Sequence, residues 1–214
     1  MPNRHERLVA ARLYLVCGAQ GDEFLDAALR GGVEIVQLRV KEGSGAAILA
    51  AAHRFARICA DHGALFILND RPELVIEAGA DGVHVGQDDM PVPAARQLVG
   101  ADRIVGLSTH SPQQIDAAAG VDYIGVGPVH ETPTKPGRQA VGLGLVHHAA
   151  EHADIPFFAI GGITPGNVAD VRAAGAERVA VVRALTEASD PERAATQLRA
   201  ALAGSGVRQR VGST

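Results

Sequence analysis

The sequence predicts an α/β fold, a (β/α)8 barrel, on three observations. One phrase recurs along the chain, short apolar runs occur in the number that closes a barrel, and polar residues gather where those runs end. The phrase first reads Gly31-Gly32-Val33-Glu34-Ile35-Val36. It returns as Ala78-Gly79-Ala80-Asp81-Gly82-Val83, as Ala119-Gly120-Val121-Asp122-Tyr123-Ile124 and as Ala174-Gly175-Ala176-Glu177-Arg178-Val179. A helix ends, glycine takes the left-handed position after it, and a short apolar strand follows. Repeated helix, glycine and strand is what a βαβ chain must produce.

Strands are expected near 12–17, 33–38, 64–68, 82–86, 103–107, 122–127, 156–160 and 177–182. Most lack polar alternation, as strands buried on both faces should. Helices are expected between them. One covers 46–62, Ala-rich with Ile48, Phe55 and Ile58 on one side. The last covers 190–203 and opens Asp190-Pro191-Glu192, with Asp as N-cap and Pro at N1. An open doubly wound sheet is the alternative. No Gly-x-Gly-x-x-Gly follows the first strand, and Cys17-Gly18-Ala19-Gln20-Gly21 matches it poorly. Residues 1–204 read as a single catalytic domain and 205–214, polar and Gly-rich, as a frayed tail.

Composition narrows the function classes. In 214 residues, 47% hydrophobic, a packed core is expected and disorder is not. Lys+Arg 20 against Asp+Glu 24 argues against a nucleic-acid coat or a polybasic membrane binder. Cys17 and Cys59 fit no metal spacing and read as reduced thiols of a cytoplasmic protein. No apolar run is long enough to span a membrane, and no signal peptide is expected. A homo-oligomer is left open.

Barrel chemistry sits at the carboxyl ends of the strands. At strand two, Gln37, Arg39 and Lys41 alternate, so all three are expected to face the interior. Cations buried there need an anion, which reads as a phosphate or diphosphate clamp or as a structural ion pair at the rim. Asn69-Asp70-Arg71 ends strand three and Gly86-Gln87-Asp88-Asp89 follows strand four. On neighbouring strands, Asp70 and Asp89 suit a shared Mg²⁺. Each also precedes a proline, Pro72 or Pro91, and so suits a helix N-cap. Ser108 stands nearer the mouth, while Ser111 before Pro112 reads as a cap. Gly161-Gly162 after strand seven, and Arg183 after strand eight, fall where barrel enzymes hold phosphate. Thr132-Pro133-Thr134-Lys135-Pro136-Gly137-Arg138 is too polar for a core and too rigid for a linker, though a solvated turn would also serve. His148 and His152 have ligand spacing on a predicted outer helix and read as an exposed pair.

Taken in order, Gln37-Leu38-Arg39-x-Lys41, Asn69-Asp70-Arg71, His84-Val85-Gly86-Gln87-x-Asp89, Gly127-Pro128 leading to Thr132-Pro133-Thr134-Lys135, and Gly161-Gly162-Ile163 resemble the thiamine-phosphate synthase family. The resemblance spans residues 13–202. It implies a transferase that joins a hydroxymethylpyrimidine diphosphate to a thiazole phosphate, with Mg²⁺ as cofactor and only small molecules as substrates. By the same resemblance Gln37, Arg39, Lys41, Asn69, Ser108 and Lys135 would contact the pyrimidine diphosphate. Arg39, Lys41, Ser108 and Lys135 would act in catalysis, and Asp70 and Asp89 would hold Mg²⁺. Thr132, Thr134, Gly162, Val182 and Arg183 would line the thiazole-phosphate site. Two positions depart from the family pattern: Val40 where Asp is common, and Arg183 where Ser is. A thiazole tautomerase of the same superfamily is the nearest rival, but it would not need Lys41, Asp70, Asp89 and Lys135. A non-catalytic phosphate-ligand sensor is the other, and it predicts binding without turnover.

Overall fold

The computed structural model describes residues 2–131 and 139–203. Eight parallel strands close a barrel in chain order: β1 (Leu13–Cys17), β2 (Ile35–Leu38), β3 (Leu65–Asn69), β4 (Gly82–Val85), β5 (Ile104–Thr109), β6 (Tyr123–Val126), β7 (Phe157–Ile160) and β8 (Val179–Val181), with β8 pairing back on β1. The expected strands are all present and the open sheet is excluded. The glycines of the recurring phrase take positive φ, +101° at Gly32, +67° at Gly79, +73° at Gly120 and +102° at Gly175. Each chain reversal into a strand therefore uses the left-handed conformation that glycine adopts at no steric cost.

The outer ring holds α2 (Asp22–Arg30), α3 (Gly45–Asp61), α4 (Val92–Val99), α5 (Pro112–Asp116), α6 (Gly142–His152), α7 (Val168–Ala173), the short α8 (Arg183–Thr186) and α9 (Pro191–Ala203). Asp190 caps α9 by accepting from Arg193 N at 2.9 Å, and Ser111 caps α5 by accepting from Gln114 N. The unit after β3 departs from expectation. It has only a 3-10 turn, Pro72–Leu74, in place of a helix. A further helix, α1 (Arg4–Ala10), precedes β1 and carries a capping box between Asn3 and Glu6. Its buried Leu8 joins the barrel interior and closes the base.

Alternation along the strands sorts the core into two shells. Leu15, Val36, Leu38, Phe66 and Val83 point outward under the helices. Tyr14, Ile35, Leu65, Ile67, Ile104, Tyr123 and Phe158 point inward. The two tyrosines and Phe158 meet edge to face, with centroids 5.3–5.9 Å apart. Gly106 makes the room, since a Cβ there would lie 2.2 Å from Tyr123 Cζ. This aromatic layer fills the barrel and sets the depth of the cavity above it. The frayed tail expected at 205–214 lies outside the described residues.

Candidate active site

The strand ends enclose two adjoining cavities of about 390 Å³ each, and Arg39, Asn69 and His110 line both. The first stands on Tyr14, Tyr123 and Phe158 and rises to Gly161, Gly162, Val182 and Arg183. The second is walled by Arg39, Lys41, Asn69, Asp70 and Asp89. One is an apolar floor with a polar rim, and the other is a cleft of opposed charges.

The expectation for strand two needs correction. Gln37 does face inward and is buried, donating Nε2 to Tyr14 Oη at 2.6 Å. β2 ends at Leu38, so Arg39 and Lys41 stand beyond it. Arg39 is half-buried and Lys41 exposed. Neither is a buried cation, because the cleft they line is open to water. Neither makes a salt bridge among the described residues, though the charge of Arg39 is felt at Asp70. Val40 packs outward against the helix-side core, as its parity requires.

Asp70 and Asp89 do converge. Burial, then the charge of Asp89, pushes the Asp70 carboxyl up from 3.8 to about 6. Neither caps a helix: Arg71 stands at the N-cap of the 3-10 turn and Pro91 at that of α4. Asp70 adopts φ +58°, a conformation that Asp tolerates better than most residues. Asn69 Nδ2 donates to Asp70 Oδ2, and Gly86 N donates to Asp89 Oδ2 at 2.8 Å. Two carboxylates facing each other, in a wet cleft beside two cations, are a donor set that a hard divalent ion fits. No cluster of three or more His, Cys, Asp or Glu that could hold a metal occurs among the described residues, and the donor set here is the two carboxylates.

Ser108 lies within β5 and bonds His84 Nε2 at 2.9 Å, while His84 Nδ1 reaches Tyr123 Oη at 2.9 Å. Burial pushes both phenols up, so they stay protonated. Burial also pushes the Cys17 thiol up to about 12, and Cys59 higher, so neither free thiol is a ready nucleophile.

Gly161 and Gly162 take φ +108° and +64°, and a Cβ on Gly162 would come 2.7 Å from His130 Cβ. Only glycine fits this approach to the chain after β6. Val182 is the N-cap of α8 and Arg183 its first residue. Arg183 is exposed at the cavity rim and pairs with Glu187 at 2.7 Å, so it is not the free fork the sequence suggested. Thr132, Thr134 and Lys135 lie outside the described residues. His148 and His152 stack at 4.3 Å on α6, and His148, half-buried rather than exposed, bonds Asp116 at 2.7 Å. Neither lines the mouth.

The structure thus brings Gln37, Arg39, Lys41, Asn69, Asp70, Asp89, Ser108, Gly162, Val182 and Arg183 to one end of the barrel. Sequence reasoning gave no role to Tyr14, Tyr123, His84 or His110. Tyr14 shares the inward parity of Val16, and His84 the period-two position of Gly82, so strand alternation held the signal.

The family model described as thiamine monophosphate synthase matches residues 13–185. A curated thiamine-phosphate synthase of Saccharopolyspora erythraea is 53% identical over 92% of this chain and 95% of its own length. One from Nostoc sp. is 49% identical over 88% of this chain, which spans only 55% of that longer relative. The solved thiamine phosphate pyrophosphorylase of Pyrococcus furiosus superposes with a TM-score of 0.84 at 29% identity, covering 94% of this chain and 98% of that one. On the matched residues, the barrel and the identity to these relatives, the chain belongs to the thiamine monophosphate synthase family of enzymes.

Proposed function

We propose that the protein condenses 4-amino-2-methyl-5-hydroxymethylpyrimidine diphosphate with thiazole phosphate, or its carboxylate form, to give thiamine phosphate and diphosphate. The observation that carries this reading is the pair of adjoining cavities sharing Arg39 and Asn69, one charged and one floored by aromatic rings. The rings fit over the aromatic layer, and the diphosphate fits the charged cleft.

The reaction breaks the bond between the pyrimidine methylene carbon and the diphosphate oxygen. The electron pair leaves with diphosphate, and the aminopyrimidine ring stabilises the resulting cation. The thiazole nitrogen then forms the new bond with its lone pair. This path needs no protein nucleophile. Arg39, as a fork, and Lys41, as a point charge, bind the diphosphate and stabilise it as it departs. Lys135 has the same role by family resemblance, and Ser108 and Asn69 orient the pyrimidine side. Asp70 and Asp89 would hold Mg²⁺, which supplies further neutralisation of the leaving group. Gly162, Val182 and Arg183, with Thr132 and Thr134, receive the thiazole phosphate. The cavity walls hold the two rings close, which replaces a bimolecular encounter with a positioned one.

The test is to mix the protein with both substrates and Mg²⁺ and to assay thiamine phosphate and diphosphate together. Equal amounts of the two are expected. Binding of both substrates without product would leave a sensor instead. Asp70→Ala should lose Mg²⁺-dependent rate, and unchanged activity would remove Asp70 from the site.

A further inference from the structure

The chain has two tyrosines, and both are buried inside the barrel. With Gln37, His84 and Ser108 they form one unbroken hydrogen-bonded row across the interior. Gln37 Nε2 lies 2.6 Å from Tyr14 Oη, and Tyr14 Oη lies 2.8 Å from Tyr123 Oη. Tyr123 Oη lies 2.9 Å from His84 Nδ1, and His84 Nε2 lies 2.9 Å from Ser108 Oγ. The row passes through β2, β1, β6, β4 and β5, and both of its ends line the apolar-floored cavity.

Counting hydrogens gives the row a direction. The Gln37 amide nitrogen only donates, so Tyr14 Oη accepts from it. Tyr14 has one hydrogen, and the acceptor within reach is Tyr123 Oη. Tyr123 in turn directs its own hydrogen to His84 Nδ1. A neutral imidazole that accepts at Nδ1 is protonated at Nε2, so His84 donates to Ser108 Oγ. The Ser108 hydrogen has no acceptor left in the row and is turned to the cavity. At the other end, Gln37 holds its NH2 on Tyr14 and turns Oε1 to the same space. Reversal would require the amide to turn, both phenols to redirect and the imidazole to change tautomer together. One end therefore cannot change sign without the other.

We propose that Tyr14, Tyr123 and His84 are positioning residues that hold Gln37 as an acceptor and Ser108 as a donor toward the cavity. They thereby select a planar ring bearing an amino group and a ring-nitrogen acceptor over its oxo counterpart. This specificity rests on the reading that the cavity takes an aminopyrimidine; the direction of the row does not. An oxo ring would set its carbonyl against Gln37 Oε1 and its N–H against the Ser108 donor. Over an aromatic floor, such mismatched polar groups stay unpaired.

Two measurements test this. The first is the ¹⁵N-histidine spectrum of the ligand-free protein, with His84 assigned by comparison with His84→Asn. A neutral His84 protonated at Nε2 is expected, and protonation at Nδ1 or at both nitrogens overturns the direction. In Tyr123→Phe the phenol that donates to Nδ1 is gone, and a shift of the tautomer balance away from the wild type is expected. A tautomer balance unchanged from the wild type there shows that the row does not set it. The second is calorimetric binding of 4-amino-5-hydroxymethyl-2-methylpyrimidine and its 4-oxo counterpart. The wild type should prefer the amino ring about tenfold or more, because a built hydrogen-bonding site rejects the mismatched analogue. Tyr14→Phe frees the Gln37 amide while leaving Tyr123 on His84. Its preference should fall to about threefold or less, with the His84 tautomer unchanged. An undiminished preference overturns the positioning role. Should Tyr123→Phe not fold, the wild-type spectrum and Tyr14→Phe decide the case. Should neither pyrimidine bind, the aminopyrimidine reading and the specificity fall together, and the histidine spectrum still judges the direction.

Discussion

The two ends of the barrel carry charge in opposite ways. At the base, the acidic residues of the first three recurring phrases are fully engaged. Asp122 accepts from Val105 N at 2.7 Å and pairs with Arg96 at 2.5 Å and His5 at 3.1 Å. Asp81 accepts from Phe66 N and pairs with Arg4. Glu34 accepts from Arg12 N and Leu13 N and pairs with Arg199. Each of these three takes a backbone N–H at the start of an earlier strand and a cation beside it. At the mouth, Arg39 and Lys41 make no salt bridge among the described residues, Arg39 acts on Asp70 only from a distance, and Asp70 faces another carboxylate. Paired charge secures the fold, and charge left only partly compensated is available to a ligand. The mouth carries an electrostatic cost that the base does not, as sites built for a ligand commonly do.

Substitutions that act on one end and spare the other can break this comparison. Arg39→Ala should lower kcat/KM by about 10²–10³-fold, on the scale of losing one preorganised donor, with little change in Tm. A matching loss of stability would mean that Arg39 also holds the fold. Asp122→Ala should do the reverse, costing about 3 kcal/mol in denaturant unfolding because Arg96 loses its carboxylate partner and Val105 N its acceptor. Its kcat/KM, measured well below Tm, should stay near wild type.

Asp70→Asn sharpens the electrostatic side. The folded Asp70 carboxyl titrates near 6, above its ordinary 3.8, so its contribution is present at low pH and is lost as pH rises through about 6. Without divalent ions, the Asn variant should match wild-type Tm near pH 4 and exceed it at pH 8. Equal Tm at both pH values would show that the two carboxylates do not repel. The smallest effect is expected at Arg183, whose exposed pair with Glu187 must open to meet an anion. Arg183→Ala should raise the thiazole-phosphate KM about three- to tenfold and leave the pyrimidine-diphosphate KM near wild type. Equal effects on both would remove Arg183 from the monophosphate side.

Much of the site was legible because barrel topology turns chain position into spatial position. Asn69-Asp70 and Asp89 read as neighbours once β3 and β4 were placed, and they are neighbours. Arg39 and Lys41 were assigned the right side but the wrong burial, because the end of β2 cannot be read from parity alone. The helix caps were legible where Ser or Asp precedes proline, as at Ser111 and Asp190. The same signal misled at Asp70 and Asp89, where two carboxylates meet across strands and local capping loses to that contact.

The sequence by itself determined the barrel, its strand order and the end at which polar residues collect. Those follow from local patterns: glycine after a helix, apolar runs and period-two alternation. Only the tertiary structure decided which inward side chains touch. The row from Gln37 through Tyr14, Tyr123 and His84 to Ser108 joins residues up to 109 positions apart. No local pattern encodes it, because hydrogen-bond partners across a closed barrel are set by its register and diameter. The base charges teach the same lesson. The acids of the recurring phrase are plain in the sequence, but the cations and strand N–H groups that satisfy them arrive only when the barrel closes.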